Sequence, residues 1–449
     1  MILLARYNAH TMRVLIFGLG TLGGGFASAG YFLDRDHEVR VTDMRPESEL
    51  GNPVEILRER GALVVCGEHR EEDFRWADLV VKNPAVSPDN QYLQYAKRIT
   101  TDIAYLLESP LVQPLKKIAV TGTKGKTTTV AAVAHILEKQ GHEALQMGNM
   151  GISGFSILAE LERRLHKGKS LPEYLICEFS SWQIRDLFMT MRDQRPDFHL
   201  VALTSLFPDH LNRYADYQTY KDDKWILFDS RETRMIVPKV VYKEVLDISN
   251  IKPRFVRTTE SFFGAESSDV KIRTAWAICR SLGLGIKQIS EALVSFRGVP
   301  HRQEQLGVKN HVVYINDSSA TIPEAVTFSC SSCPWAYHLI CGGTDKNLKP
   351  DGMLKAVQDA SNIYLLEGSF TRNKLIPLLH DNDISYQGPF DSMHEAFYAA
   401  CRAAEADTDM LPHVAVILSP GAASFGMFKH EFDRGDQFRK LFEDLQERE

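Results

Sequence analysis

Short runs of Val, Ile, Leu and Phe recur along the chain. Each ends in glycine or a polar turn and is followed by a stretch with helical spacing. The first series predicts strands over 13–17, 38–42, 62–66 and 77–82. Gly18, Gly20 and Gly23 follow the first strand, and Asp43 closes the second. A second series opens with a strand over 115–120, a glycine loop and a helix over about 127–141. Strands over 174–179 and 198–203 follow, and 271–296 reads as two helices broken at Gly283 and Gly285. A third series, from about Pro300, predicts strands over 312–316, 337–341, 362–366 and 414–418.

Strands alternating with helices imply parallel sheets with helices on their faces. The expected class is therefore α/β, with three domains that each hold a largely parallel sheet flanked by helices. These are a Rossmann-like domain over 1–109, a central P-loop domain over 110–299 and a Rossmann-like domain over 300–449. The length of 449 residues agrees with this at roughly 150 residues per domain.

Composition narrows the function classes. The net charge of -6 and the lack of a long basic run argue against nucleic-acid or membrane-surface binding. No apolar run approaches the roughly 20 residues that span a bilayer, and residues 1–11 lack a signal-peptide core. Seven scattered cysteines suit a reducing compartment, so a cytoplasmic location is expected. Cys330 and Cys333 form a lone CxxC without a second pair, which reads as packing.

The residues 118–129, Ile-Ala-Val-Thr-Gly-Thr-Lys-Gly-Lys-Thr-Thr-Thr, run from a strand through a tight loop into a helix. Gly122 and Gly125 let backbone N–H groups turn toward phosphate oxygens, and the helix N-terminus adds partial positive charge. Thr123, Lys124 and Thr128 complete the loop, Lys126 suits the outer phosphates and the Thr127 hydroxyl suits Mg²⁺. Val120 stands where the full Walker spacing has its first glycine. The loop thus predicts ATP binding.

Gly18-Leu-Gly-Thr-Leu-Gly23, with Asp43 after the next strand, matches a dinucleotide fingerprint. Taken alone it reads as an NAD site, and hence as an oxidoreductase. Beside the second loop it reads as the seat of a nucleotide-linked substrate. A non-enzymatic, ATP-switched binding module is a third reading.

The loop Thr121-Gly-Thr-Lys-Gly-Lys-Thr-Thr128 resembles that of the Mur ligases. Later motifs follow in the family's order: Gly148-Asn149-Met150-Gly151, Glu178-Phe-Ser-Ser-Trp-Gln183, Pro208-Asp209-His210 and Tyr220-Lys-Asp-Asp-Lys224. The third series adds His301-Arg302, Asn316-Asp317, Gly342-Gly-Thr-Asp-Lys346 and Leu418-Ser-Pro-Gly-Ala-Ala-Ser424. The resemblance covers nearly the whole chain and is greatest to the branch that adds D-glutamate to UDP-N-acetylmuramoyl-L-alanine. It implies an ATP-dependent amide ligase of peptidoglycan precursor synthesis, working through an acyl phosphate, with those two molecules as partners and a monomeric state.

The resemblance also implies residue roles. Thr127 and Glu178 would hold one Mg²⁺, and His210 with carbamylated Lys224 a second. Asp209 would orient His210 or the incoming amine. Gly18, Leu19, Gly20, Asp43, Arg45, Asn149, Ser180 and Gln183 would meet the UDP-substrate. Arg302 and Asp317 would meet ATP, and Thr321, Lys346 and Ser424 the glutamate. Ser180 followed by Gln183 is equally a helix-capping pattern.

The chain departs from the family pattern in places. Lys124 stands for the usual Asn, Ser319 for a lysine that contacts substrate carboxylate, and Asn212 for an Asp. Glu431 and Phe432 are in reversed order, and Lys271 lies where an adenine-contacting asparagine is usual. These departures cluster around the amino acid and the adenine, so L-glutamate stays open as the alternative substrate.

Overall fold

The computed structural model describes residues 11–20, 24–148, 152–191, 196–207, 214–230, 232–247, 255–262, 270–345 and 348–447. The class is α/β, with three domains that each contain a parallel sheet. By contacts the chain divides into two compact units, Met1–Phe296 and Arg297–Glu449. The first unit carries two of the sheets.

The first sheet is built from β1 (Arg13–Phe17), β2 (Glu38–Asp43), β3 (Leu63–Cys66), β4 (Leu79–Lys82) and β5 (Ile99–Thr100). Its order is β3-β2-β1-β4-β5, all parallel. The chain winds outward from β1 to β3 and then crosses to β4 on the other side. The loops leaving β1 and β4 therefore diverge, which opens a ligand crevice at the carboxyl end of β1.

The second sheet contains β6 (Lys116–Thr121), β7 (Ala144–Gly148), β8 (Tyr174–Glu178), β9 (Leu200–Leu203), β10 (Arg234–Val237) and β11 (Val256–Thr258). Its order is β11-β10-β9-β6-β8-β7, again all parallel. Ile118, Val120 and Ile176 on one face pack against Val130, Val133 and Leu137 of helix Lys126–Lys139. Ala119, Leu175, Cys177 and Val201 on the other face share one apolar cluster with Val14, Ile16, Val39 and Val41 of the first sheet.

Phe155 joins the two, its ring centroid 5.1 Å from both Phe32 and Tyr105. Burying a side chain of that size contributes about 1.5–3 kcal/mol. Lys82 at the end of β4 meets Asp186 of helix Ser181–Thr190 at 2.6 Å, both only 3% exposed. The two sheets of this unit are thus tied by one core and by a buried ion pair.

The second unit holds β12 (Glu304–Lys309), β13 (Val312–Asn316), β14 (Ala336–Gly342), β15 (Asn362–Leu366), β16 (Gln387–Phe390) and β17 (Val414–Leu418), in the order β12-β13-β17-β14-β15-β16. Only the edge pair β12 and β13 is antiparallel. Among the described residues no helix is long and apolar enough to cross a membrane.

Candidate active site

The phosphate loop leaves β6, which lies between β8 and β9, so the loops after all three strands converge. Gly125 is left-handed and caps helix Lys126–Lys139, whose first turn has no acidic residue. The positive end of that helix therefore faces the loop without a neutralising carboxylate from its own first turn. Gly122 has φ +147°, and a Cβ there would lie 2.0 Å from Thr204 Oγ1, so only glycine fits.

The loop after β9 props the phosphate loop. Thr204 Oγ1 donates to Lys124 O at 2.5 Å and Ser205 Oγ donates to the same oxygen at 3.0 Å. Lys124 N donates to Ser205 Oγ at 2.9 Å, and Thr123 N to Ser205 O at 2.9 Å. The Thr123 hydroxyl donates to Phe207 O and lies 3.1 Å from the Tyr220 hydroxyl. The backbone is thus fixed before any phosphate arrives. Thr128 lies partly exposed in the first helical turn.

Two lysines meet at one carbonyl of this loop. Lys126 Nζ curls back to Gly122 O at 3.0 Å and Thr123 O at 3.1 Å. Lys224, on helix Tyr217–Trp225 and 1% exposed, donates to Gly122 O at 3.2 Å from over the Tyr220 ring. The Lys126 ammonium suits the outer phosphates of a polyphosphate.

Glu178 ends β8 opposite Val120 on β6 and Gly148 on β7. It is 0% exposed. Its Oε1 accepts from the Thr127 hydroxyl at 3.1 Å, and its buried Oε2 has no partner among the described residues. A buried, unpartnered carboxylate oxygen costs free energy unless something completes it. Carboxylate and hydroxyl are the hard oxygen donors Mg²⁺ takes, so the residues present fit that ion. Asp209 and His210, expected beside it, lie outside the described residues, as do Asn149 and Lys346. Among the described residues no three His, Cys, Asp or Glu side chains cluster as a metal site.

In the first sheet the loop after β1 turns through Gly18 and Gly20, both with positive φ; Gly23 lies outside the described residues. Asp43 Oδ2 accepts from Leu19 N at 2.9 Å, Gly20 N at 3.3 Å and Arg45 Nη2 at 2.7 Å. Its Oδ1 accepts from Arg45 N at 3.0 Å and Nε at 3.1 Å. Burial acts to raise this carboxyl, but the bonds from Arg45 and Gly20 hold it below the usual aspartate range. Those donors fill the roughly four lone-pair sites of a carboxylate. Ser180 and Gln183 form a capping box: Gln183 N donates to Ser180 Oγ at 3.4 Å and Ser180 N to Gln183 Oε1 at 2.9 Å.

In the second unit Asp317 follows β13 and is buried. It accepts from Gln303 N and from the Ser419 hydroxyl, each at 3.0 Å. Burial pushes its carboxyl up to about 6, against the hydrogen bonds. Arg302 is exposed. Thr321 and Ser424 sit on the loops after β13 and β17, strands that are adjacent in the sheet. His301 packs with Nδ1 3.0 Å from Asn316 Nδ2 and is an internal residue of this unit.

Several of these residues have no role legible in the sequence, although Tyr220 and Ser419 lie within the quoted motifs. Thr204, Ser205, Tyr220 and Ser419 act by holding a loop rather than by carrying charge, and only their position just after a strand or before Lys224 hinted at it. Lys82 and Asp186 are 104 residues apart, and nothing local marks them as a pair.

The described geometry has counterparts in known proteins. Residues 120–273 match the Mur ligase middle domain, and residues 12–104 the Mur ligase MurD-like N-terminal domain. The chain is 31% identical to the UDP-N-acetylmuramoylalanine--D-glutamate ligase of Borreliella afzelii, over 97% of this chain and 98% of that one. It is 30% identical to the ligase of that name from Roseiflexus sp., over 96% and 98%. The solved UDP-N-acetylmuramate-alanine ligase of Thermotoga maritima shares the fold, with a TM-score of 0.57 and 17% identity over 97% of this chain and all of that one. Escherichia coli FolC in complex with DHPP and ADP shares it over 77% of this chain and 92% of its own, with a TM-score of 0.54 and 17% identity. With such identity sustained over nearly the full length of both chains, this protein belongs to the Mur ligase family and is a ligase.

Proposed function

We propose that this ligase uses ATP to join D-glutamate to UDP-N-acetylmuramoyl-L-alanine in peptidoglycan precursor synthesis. The observation that carries the reading is Glu178, a fully buried carboxylate with one oxygen on Thr127 and the other without a partner among the described residues, directly behind the phosphate loop. The curated relatives bear the name of that activity.

A carboxylate does not condense with an amine at neutral pH, because its oxygen is a poor leaving group. Transfer of the ATP γ-phosphoryl to that oxygen gives an acyl phosphate and ADP. The amine then adds to the carbonyl, and phosphate leaves as the amide forms. The loop from Gly122 to Thr128 holds the phosphates, with Lys126 on the outer ones. Thr127 and Glu178 would hold Mg²⁺, which supplies positive charge between the two anions that must meet.

In the same reading a carbamate on Lys224 would, with His210, hold a second Mg²⁺, and Asp209 would orient the amine or His210. Arg302 and Asp317 meet the nucleotide, and Thr321, Lys346 and Ser424 meet the glutamate. The uridine diphosphate lies on Gly18, Leu19, Gly20, Asp43, Arg45 and Asn149, with the acceptor near Ser180 and Gln183. The protein works as a cytoplasmic monomer with domains at 1–109, 110–299 and 300–449. L-Glutamate is the second reading, because Ser319 stands where a lysine that contacts substrate carboxylate is usual; its hydroxyl is buried and has no partner among the described residues.

Acceptor labelled with ¹⁸O in its carboxylate tests the scheme. One label should leave in the released phosphate. Phosphate without label would overturn the acyl-phosphate route, and no phosphate with either glutamate enantiomer would overturn the function.

A further inference from the structure

Arg434 is the largest wholly buried side chain among the described residues, at 0% exposure. It stands in the first turn of helix Glu431–Glu447. Its Nε donates to Ser318 Oγ at 3.0 Å, its Nη2 to Ser318 O at 2.9 Å and its Nη1 to Ala422 O at 3.2 Å. All three acceptors are neutral. Among the described residues no carboxylate reaches it, and Glu431 acts on it only through space. A buried charge without a counter-charge is costly, so such groups are normally paired. Burial lowers the guanidinium to about 9, which leaves it charged at neutral pH.

Ser318 and Ala422 belong to the two loops, 317–321 and 419–424, that carry Thr321 and Ser424. Neither loop contains Lys or Arg. The Ser319 hydroxyl in the first is buried and has no partner among the described residues. Among the described residues a positive charge without a paired carboxylate thus stands behind two loops with an unused hydrogen-bonding group. That combination suits a carboxylate brought in by a ligand.

We infer that Arg434 is a positioning residue that sets the charge of the amino-acid pocket, selecting an acidic amino acid by acting through Ser318 without touching the substrate. This rests on the reading that the protein adds glutamate. The test measures KM for glutamate, ATP and acceptor, together with melting temperature, in S318D, R434M and R434K. In S318D the new carboxylate pairs with the guanidinium, so the protein should melt no lower than wild type. Its KM for glutamate should nevertheless rise about tenfold or more, with KM for ATP within about twofold.

R434M should show the same rise in KM, and R434K, which keeps the charge, a rise of under about threefold. A folded S318D with wild-type KM would overturn the inference, whether or not R434M folds. Equal rises in R434K and R434M would also overturn it. Wild-type protein silent with both glutamate enantiomers would overturn the glutamate reading itself, and this inference with it.

Discussion

Replacing Glu178 by Gln separates the cost of this residue from its use. The side chain is fully buried, and Oε2 has no hydrogen-bond partner among the described residues. Leaving such an atom unsatisfied costs about 1–3 kcal/mol, more when the group is charged. The neutral amide keeps the shape and an oxygen for Thr127 while removing the charge. Without Mg²⁺, E178Q should therefore be more stable than wild type by about 1–2 kcal/mol, a rise of a few degrees in melting temperature.

With Mg²⁺ the order should reverse. Wild type gains RT ln(1 + [Mg²⁺]/Kd), about 2.7 kcal/mol at a hundredfold excess over Kd, and E178Q loses most of it. Phosphate release should fall by about 10²-fold or more, as expected when a charge stabilising phosphoryl transfer is removed. Thermal denaturation with and without Mg²⁺ and ATP reads both effects. An E178Q protein that is less stable without metal, or that keeps the full Mg²⁺-dependent gain, would refute the assignment of Oε2 to the ion.

Three further outcomes follow from the same structure. K224A should abolish phosphate release, and short carboxylic acids should restore part of it if a carbamate on Lys224 is used; an ATP-switched binding module would instead keep its ATP-dependent binding. G122A places a methyl group 2.0 Å from Thr204 Oγ1 at φ +147°, so it should cost roughly 2 kcal/mol or more in denaturant unfolding and weaken ATP binding. Asp317 has a folded value of about 6 against an ordinary 3.8, so the stability it contributes is fully present below pH 4 and is lost as pH rises through 6; the loss is roughly 3 kcal/mol and should be absent in D317N when unfolding is followed across that window.

The central strands were legible because they are buried on both faces and read as unbroken apolar runs. β1, β13, β15 and β17 have the expected bounds. Most unread strands lie at edges; β10, Arg-Met-Ile-Val, is interior and goes unread because it is only four residues long and opens on an arginine. β12 reads Glu-Gln-Leu-Gly-Val-Lys, β16 contains Gly-Pro, and β5 has two residues. Edge strands need only one apolar face, so their pattern dissolves into loop composition. β7 carries Gln146 in its middle for the same reason.

In the site, Gly122, Lys126, Thr127 and Glu178 were readable because phosphate and metal chemistry demands fixed residue types at fixed spacing. Asp43 was read as a ligand residue, and the structure shows how much of it closes its own glycine loop. No spacing in the sequence singles out Arg434. That no carboxylate among the described residues pairs with it is a property of three-dimensional surroundings, which no spacing reveals.

The central claim is an ATP-dependent ligase that adds D-glutamate. Its most direct test is phosphate release, side by side, from purified protein with Mg²⁺, ATP, UDP-N-acetylmuramoyl-L-alanine and either D- or L-glutamate. Release is expected with D-glutamate, dependent on every component and absent without the acceptor. Release with L-glutamate alone, or with neither enantiomer, would contradict it.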